Sequence, residues 1–133
     1  MVTGLERAAL AFAVFWATLV SANAQPDSHK RACFPINEMR GWKAADSHTL
    51  YIRVDPDRIF RLDLAAACPM LMMPTSHLIT NVRGSDLVCS AVDWDLAVSE
   101  PPPAAMPEHC IVKQMTLLAP AEAAAIPPKF TPR

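Results

Sequence analysis

The sequence predicts a mainly β domain, a small open barrel or sandwich of about six short strands stapled by two disulfides. Three observations predict it. Leu50, Ile52 and Val54 alternate with polar residues, and so do Phe60, Leu62 and Leu64, the period-two pattern of strands with one buried face. Cys33, Cys68, Cys89 and Cys110 follow an apolar run, Ala8 to Val20, that closes on Ser21-Ala22-Asn23-Ala24. An even cysteine count behind such a leader reads as a disulfide framework in an exported chain. Third, turn residues cut the remainder into short apolar runs with no helical period.

Residues 1–24 have the parts of a cleavable signal peptide: Arg7 near the start, an apolar stretch, and small residues at Ala22 and Ala24. Glu6 offsets the charge of Arg7. A spanning helix needs about 20 apolar residues, more than this run supplies, so cleavage after Ala24 is expected and no membrane span remains afterwards. No cysteine stands at or just after the cut to accept a lipid. The mature chain is expected to be soluble, in the periplasm or outside the cell. It divides into a flexible lead-in (25–32), one disulfide-stapled domain (33–118) and a Pro/Ala-rich tail (119–133) expected to be disordered. A domain of this size buries only about 65% of its unfolded surface, so covalent staples matter.

Within the domain, Pro35 to Arg40 has the residues of one helical turn, while Met39 to Ala44 reads as a strand bent at Gly41. Ala45 to His48 supplies turn chemistry. The strands at Leu50–Val54 and Ile59–Leu64 can bury both apolar sets on one side only if Val54 stands opposite Arg58 or Phe60, not Ile59. The first register leaves Asp55-Pro56-Asp57 as the connection and puts Arg53, Arg61 and Asp63 on a solvent face. His77–Val82, Leu87–Ala91 and Trp94–Val98 suit a meander of short strands, broken at Arg83-Gly84-Ser85-Asp86 and near Asp93. Four prolines between Ser99 and Pro107 make that stretch an extended connection. Cys110–Leu118 is expected as a last strand carrying a bulge, because Val112, Met115 and Leu118 fall three apart.

Three disulfide pairings are possible; Cys33–Cys110 with Cys68–Cys89 is the one expected, tying the domain's start to its last strand and closing a compact central loop. A four-thiolate zinc site needs closely paired cysteines, which are absent here. Lys and Arg total 12 against 13 Asp and Glu, a formal net charge of −1, with the signs interspersed. That leaves no basic stripe for nucleic acid and no charge block for a membrane surface. No phosphate loop, dinucleotide fingerprint, nucleophile elbow or His-Glu-x-x-His motif is present, and no cofactor is expected.

Weaker chemical signals remain. Met70, Met72 and Met73, with His77 beyond them, offer thioether and imidazole donors that suit Cu(I); the plainer reading is methionines filling irregular space beside a disulfide. Asp93-Trp94-Asp95 would set two carboxylates on one strand face, short of the six to eight oxygens calcium takes. Trp42 and Trp94 are expected to bury their rings. His29, His48, His77 and His109 select no triad by local signature.

Cys33-Phe34, Arg40-Gly41-Trp42, Asp46, the two strands to Leu64, Cys68-Pro69-x-Leu71, Leu87-Val88-Cys89 and Cys110-x-Val112 form a pattern across Cys33 to Leu118. It resembles a family of small exported bacterial envelope proteins grouped as a domain of unknown function. Some members of that family look like lipoproteins, and this chain departs from them in lacking the lipidated cysteine. The resemblance implies an envelope setting and brings no catalytic residues, no metal ligands and no cofactor. The expectation is a non-enzymatic binding or structural envelope protein, with another envelope protein or a small molecule as partner. A periplasmic copper-binding protein and a small hydrolase are the alternatives.

Overall fold

Alternation in two neighbouring segments builds the central hairpin. The computed structural model describes residues 32–102 and 106–133, so the expected signal peptide and the lead-in up to residue 31 lie outside the described residues. In chain order the strands are β1 (Phe34–Pro35), β2 (Met39–Ala44), β3 (Thr49–Val54), β4 (Arg58–Leu64), β5 (His77–Val82), β6 (Leu87–Val88), β7 (Trp94–Ser99), β8 (Glu108–Cys110) and β9 (Val112–Leu117). One short helix, α1 (Pro120–Ala124), and 3-10 turns at Ile36–Glu38, Pro69–Met72, Ala91–Asp93 and Pro128–Phe130 complete the described elements. β3 and β4 pair antiparallel with Val54 opposite Arg58 and Ile52 opposite Phe60. Leu50, Ile52, Val54, Phe60, Leu62 and Leu64 are all buried on that face.

β2 joins one side of the hairpin, with Trp42 opposite Ile52 and an irregularity between Met39 and Gly41 where the sequence predicts a bend. β9 joins the other side, giving the order β2-β3-β4-β9. A three-stranded sheet, β5-β7-β8, and a two-stranded pair, β1-β6, make up the rest. All pairings are antiparallel and no sheet closes into a barrel. The described residues thus form nine strands rather than about six.

The higher count comes from β1, an unexpected strand that pairs with β6, and from the division of the expected last strand; a further departure shortens β6. Ser90 and Asp93 form a capping box that starts a 3-10 turn, so the expected strand at Leu87–Ala91 stops at Val88. The expected last strand is two strands in different sheets: Cys110 pairs with Leu96 in the three-stranded sheet, and Val112 pairs with Leu64 in the four-stranded one. The expected bulge is present at the start of β9, where the register shifts between Asp63 opposite Gln114 and Leu64 opposite Val112; this shift accounts for the broken alternation from Val112 onward.

The sheets share one apolar interior. At its centre Phe34 is fully buried, 4.8 Å from the ring of Phe60 and 6.1 Å from that of Trp94, both tilted. Its three aromatics come from the three sheets. Trp94 also donates its indole N–H to the sulfur of Met115 at 3.3 Å, satisfying the polar end of a buried ring. Arg58 braces the same corner: its guanidinium donates to the Cys33 carbonyl at 3.1 Å and meets Glu38 at 3.0 Å.

The disulfides correct the expected pairing. They join Cys33 to Cys89 and Cys68 to Cys110, not Cys33 to Cys110 and Cys68 to Cys89. The reason lies in strand register. Phe34 stands opposite Val88, which places Cys33 and Cys89 at the adjoining cross-strand position, Cα atoms 4.1 Å apart. Cys110 ends β8 beside the turn that Cys68 begins, and both are buried. Spanning 56 and 42 residues, the two loops would each contribute about 4 kcal/mol in the chain-entropy picture.

The tail expected to be disordered is a strap. Pro120 opens α1, and the Glu122 carboxylate accepts the Ala119 N–H at 2.8 Å. Ile126 and Pro132 are buried, and α1 and its exit lie beside Tyr51 and Arg61 on the outward face of the four-stranded sheet. Farther on, the Arg133 backbone crosses Gly41 so closely that a Cβ there would collide with its carbonyl oxygen. Composition alone reads Pro and Ala as unable to hold a fold; here the sheet supplies what the segment lacks. Arg61 and Asp63 keep their outward ion pair at 2.8 Å, while Arg53 is half-buried rather than solvated.

Phe34→Ala is expected to lower unfolding stability by about 3–5 kcal/mol, read by urea denaturation of the oxidised protein. Gly41→Ala should cost about 1–3 kcal/mol through overpacking, and limited proteolysis should then cut earlier within residues 126–133.

Candidate functional site

A proline after a cysteine, then a run of methionines, sets the local shape on one side of a cleft. Pro69 takes the first position of the 3-10 turn Pro69–Met72, with the Leu71 N–H donating to the Cys68 carbonyl at 3.1 Å. The Glu108 carboxylate accepts the Met70 N–H at 3.1 Å, fixing the turn to β8. Leu71 points into the core, and Met72 and Met73 are left 51% and 47% exposed. The Ser76 hydroxyl donates to the Met73 carbonyl at 2.9 Å and closes the segment before β5.

β2 and the strap provide the facing walls. Trp42 is half-buried, Lys43 is exposed beside it, and the Pro128–Phe130 turn sets the Lys129 ammonium 4.7 Å from the centre of the Phe130 ring. Trp42, Leu71, Met72, Met73, Lys129 and Phe130 are among the residues lining a cleft of about 380 Å³, which runs on past Lys43 towards Thr131 and Arg133. No Asp or Glu lines either part. Among the described residues neither Lys43 nor Lys129 has a carboxylate within ion-pair distance, whereas Arg40, Arg58 and Arg61 pair with Asp55, Glu38 and Asp63.

The methionines and histidine considered for copper are distributed differently from an extended strand. A 3-10 turn has three residues per turn, so Met70 aligns with Met73 and not with Met72. Met70 packs against the core, and His77 opens β5 in an exposed position opposite Ser99. Met70 and Met73 line a shallow depression with Glu100 and Glu108. Among the described residues no group of three or more His, Cys, Asp or Glu is placed to hold a metal ion.

Asp93-Trp94-Asp95 separates into three roles. Asp93 ends a 3-10 turn and its carboxylate accepts the Cys89 N–H (2.9 Å), the Ser90 N–H (2.8 Å) and the Ser90 hydroxyl (3.1 Å), which corrects the expectation of a shared strand face. Those donors, the two backbone N–H groups first, hold its carboxyl below the usual aspartate range. Trp94 is buried as expected; Trp42 keeps part of its ring at the cleft. Asp95 faces outward, its carboxylate 3.6 Å from the His109 Nδ1. That pair escapes sequence reasoning because it depends on the β7–β8 register, which sets His109 opposite Ala97. His48 sits beside Ser47 in the turn before β3, away from His77 and His109 in the topology, and His29 lies outside the described residues.

The fold and cleft define a class: a mainly β domain of three small antiparallel sheets, closed by two disulfides and wrapped by a strap that walls a cationic cleft. The chain belongs to a family of unknown function, DUF6491, whose profile matches residues 6–127 and so reaches into the strap. No curated protein and no solved structure matches the chain. Among the described residues no helix is long and apolar enough to cross a membrane.

The depressed Asp93 carboxyl gives stability a definite pH dependence. A carboxyl whose folded value lies below its unfolded value, near 3.8, contributes stability above that value and loses it as pH falls through the folded one. Asp55 acts in the same sense, its carboxyl lowered first by the hydrogen bond from Arg40. Asp93→Asn is therefore expected to be less stable than the parent at pH 7, because the charged acceptor of three hydrogen bonds becomes a neutral one. Thermal unfolding at stepped pH should show that gap shrinking below about pH 4.

Proposed function

We propose that this protein is an exported, non-enzymatic binding domain of the cell envelope, periplasmic or secreted once residues 1–24 are removed. The surface disulfide carries the reading: Cys89 is exposed and Cys33 half-buried, yet the two are bonded. An accessible disulfide of this kind is exchanged by thiol reductants in a reducing cytosol and persists in an oxidising compartment. All four cysteines of the chain are used in the two bonds. The apolar run at Ala8–Val20, with its small-residue close, is the corresponding export signal. Binding is favoured over chemistry by the cleft itself, a concavity with aromatic and thioether walls and a few polar groups.

Cell fractionation followed by intact-mass measurement tests the export half. The protein should be found in the periplasm or medium, begin at Gln25 and gain four hydrogens on reduction, with non-reducing peptide maps giving Cys33–Cys89 and Cys68–Cys110. Cytosolic protein retaining its leader, with free thiols, overturns the proposal.

A further inference from the structure

We infer that the cleft between β2, the Pro69–Met72 turn and the strap takes an amphiphilic anion, a single-chain molecule with a carboxylate, phosphate or sulfate head on an apolar body. The inference rests on the binding reading above and adds the ligand's chemistry. The charge of the lining supports it first. The chain as a whole is slightly acidic, yet Lys43 and Lys129 meet at one concavity that no Asp or Glu lines. On the same sheet Arg40, Arg58 and Arg61 are each matched by a carboxylate, whereas Arg53 and Lys113, like Lys43, have no ion pair among the described residues; what sets the cleft apart is that two such cations line one concavity. Neither ammonium group at the cleft has a carboxylate within ion-pair distance among the described residues, which leaves both available to an anionic guest.

The body of the ligand follows from the walls. Met72 and Met73 leave about half their surface in solvent although they adjoin the buried Leu71. Unbranched thioethers adapt to an apolar guest more readily than branched side chains do. Trp42 and Phe130 add flat apolar surface on the other two walls. Phe130 also holds the Lys129 ammonium over its ring, presenting the charge at the edge of an apolar patch. A purely polar anion leaves these walls wet, and a neutral or cationic amphiphile leaves the ammonium groups unmatched. At about 380 Å³ the cleft is a one-molecule site.

The strap makes the site conditional on its own packing. Lys129 and Phe130 lie between the buried Ile126 and Pro132, so a guest contacting both β2 and the strap binds only the docked arrangement and stabilises it.

The test uses the oxidised mature protein, followed by tryptophan emission and calorimetry with dodecanoate and dodecyl phosphate below their micelle-forming concentrations. Saturable one-to-one binding of both, with a shift in Trp42 emission that Trp42→Phe abolishes, is the expected result. Dodecyltrimethylammonium and inorganic phosphate should bind at least about tenfold more weakly. The double variant Lys43→Ala/Lys129→Ala should lose at least about tenfold in affinity for the anionic probes, with unchanged thermal unfolding, and Lys43→Arg/Lys129→Arg should recover it. Equal binding of the cationic probe, full affinity in the double alanine variant, or inorganic phosphate binding as tightly as dodecyl phosphate overturns the inference. So does binding confined to phosphatidylglycerol vesicles, which marks surface adsorption rather than a one-chain cleft. None of these results changes the fractionation outcome, so the ligand and the location fail separately.

Discussion

The burial of Phe34 is the constraint on which the rest of the structure depends. Its strand is only two residues long, too short to be held by its own ladder. The ring compensates by meeting Phe60 of the four-stranded sheet and Trp94 of the three-stranded one. Trp94 then reaches Met115 of the four-stranded sheet, so the small sheets are cross-braced through side chains rather than through a shared ladder. The residue before Phe34 is covalently bound to the residue after its partner Val88. In a domain with so little interior, a covalent bond beside the central ring confines the unfolded chain where register matters most.

The second disulfide links that framework to the cleft. The chain leaves one sheet at Cys110 and enters another at Val112, a junction with no ladder of its own at Ile111. Cys68 is bonded to the last residue before the junction, and Glu108 takes the Met70 N–H one turn away. The Pro69–Met72 turn is therefore anchored at its start. Leu71 enters the core and the two methionines after it remain at the surface. The exposure of Met72 and Met73 is a consequence of where the chain changes sheets.

Some of this was legible in the residues and some was not. The β3–β4 hairpin could be read down to its register because period-two alternation and a single buried face leave no second solution. The bend in β2 was readable from Gly41, although the strap that occupies the space above it was not. Cysteine pairing was hidden because it follows from the Phe34–Val88 register and the switch at Ile111, neither of which has a local signature. The tail was misread for a similar reason: Pro and Ala lack the apolar periodicity of a packed element, and only Ile126 and Phe130 stand out among them as large apolar side chains. Lys43 and Lys129 lie in distant segments and face one cleft only after the strap has crossed the sheet.

The order of the chain gives the strap one further consequence. Synthesis from the amino end delivers residues 128–130 only after β2 and the Pro69–Met72 turn have been made. The third wall of the cleft, with one of its two ammonium groups, is thus delivered last. A chain still lacking its last residues therefore has β2 and the Pro69–Met72 turn in place but not the wall that the Pro128–Phe130 turn supplies.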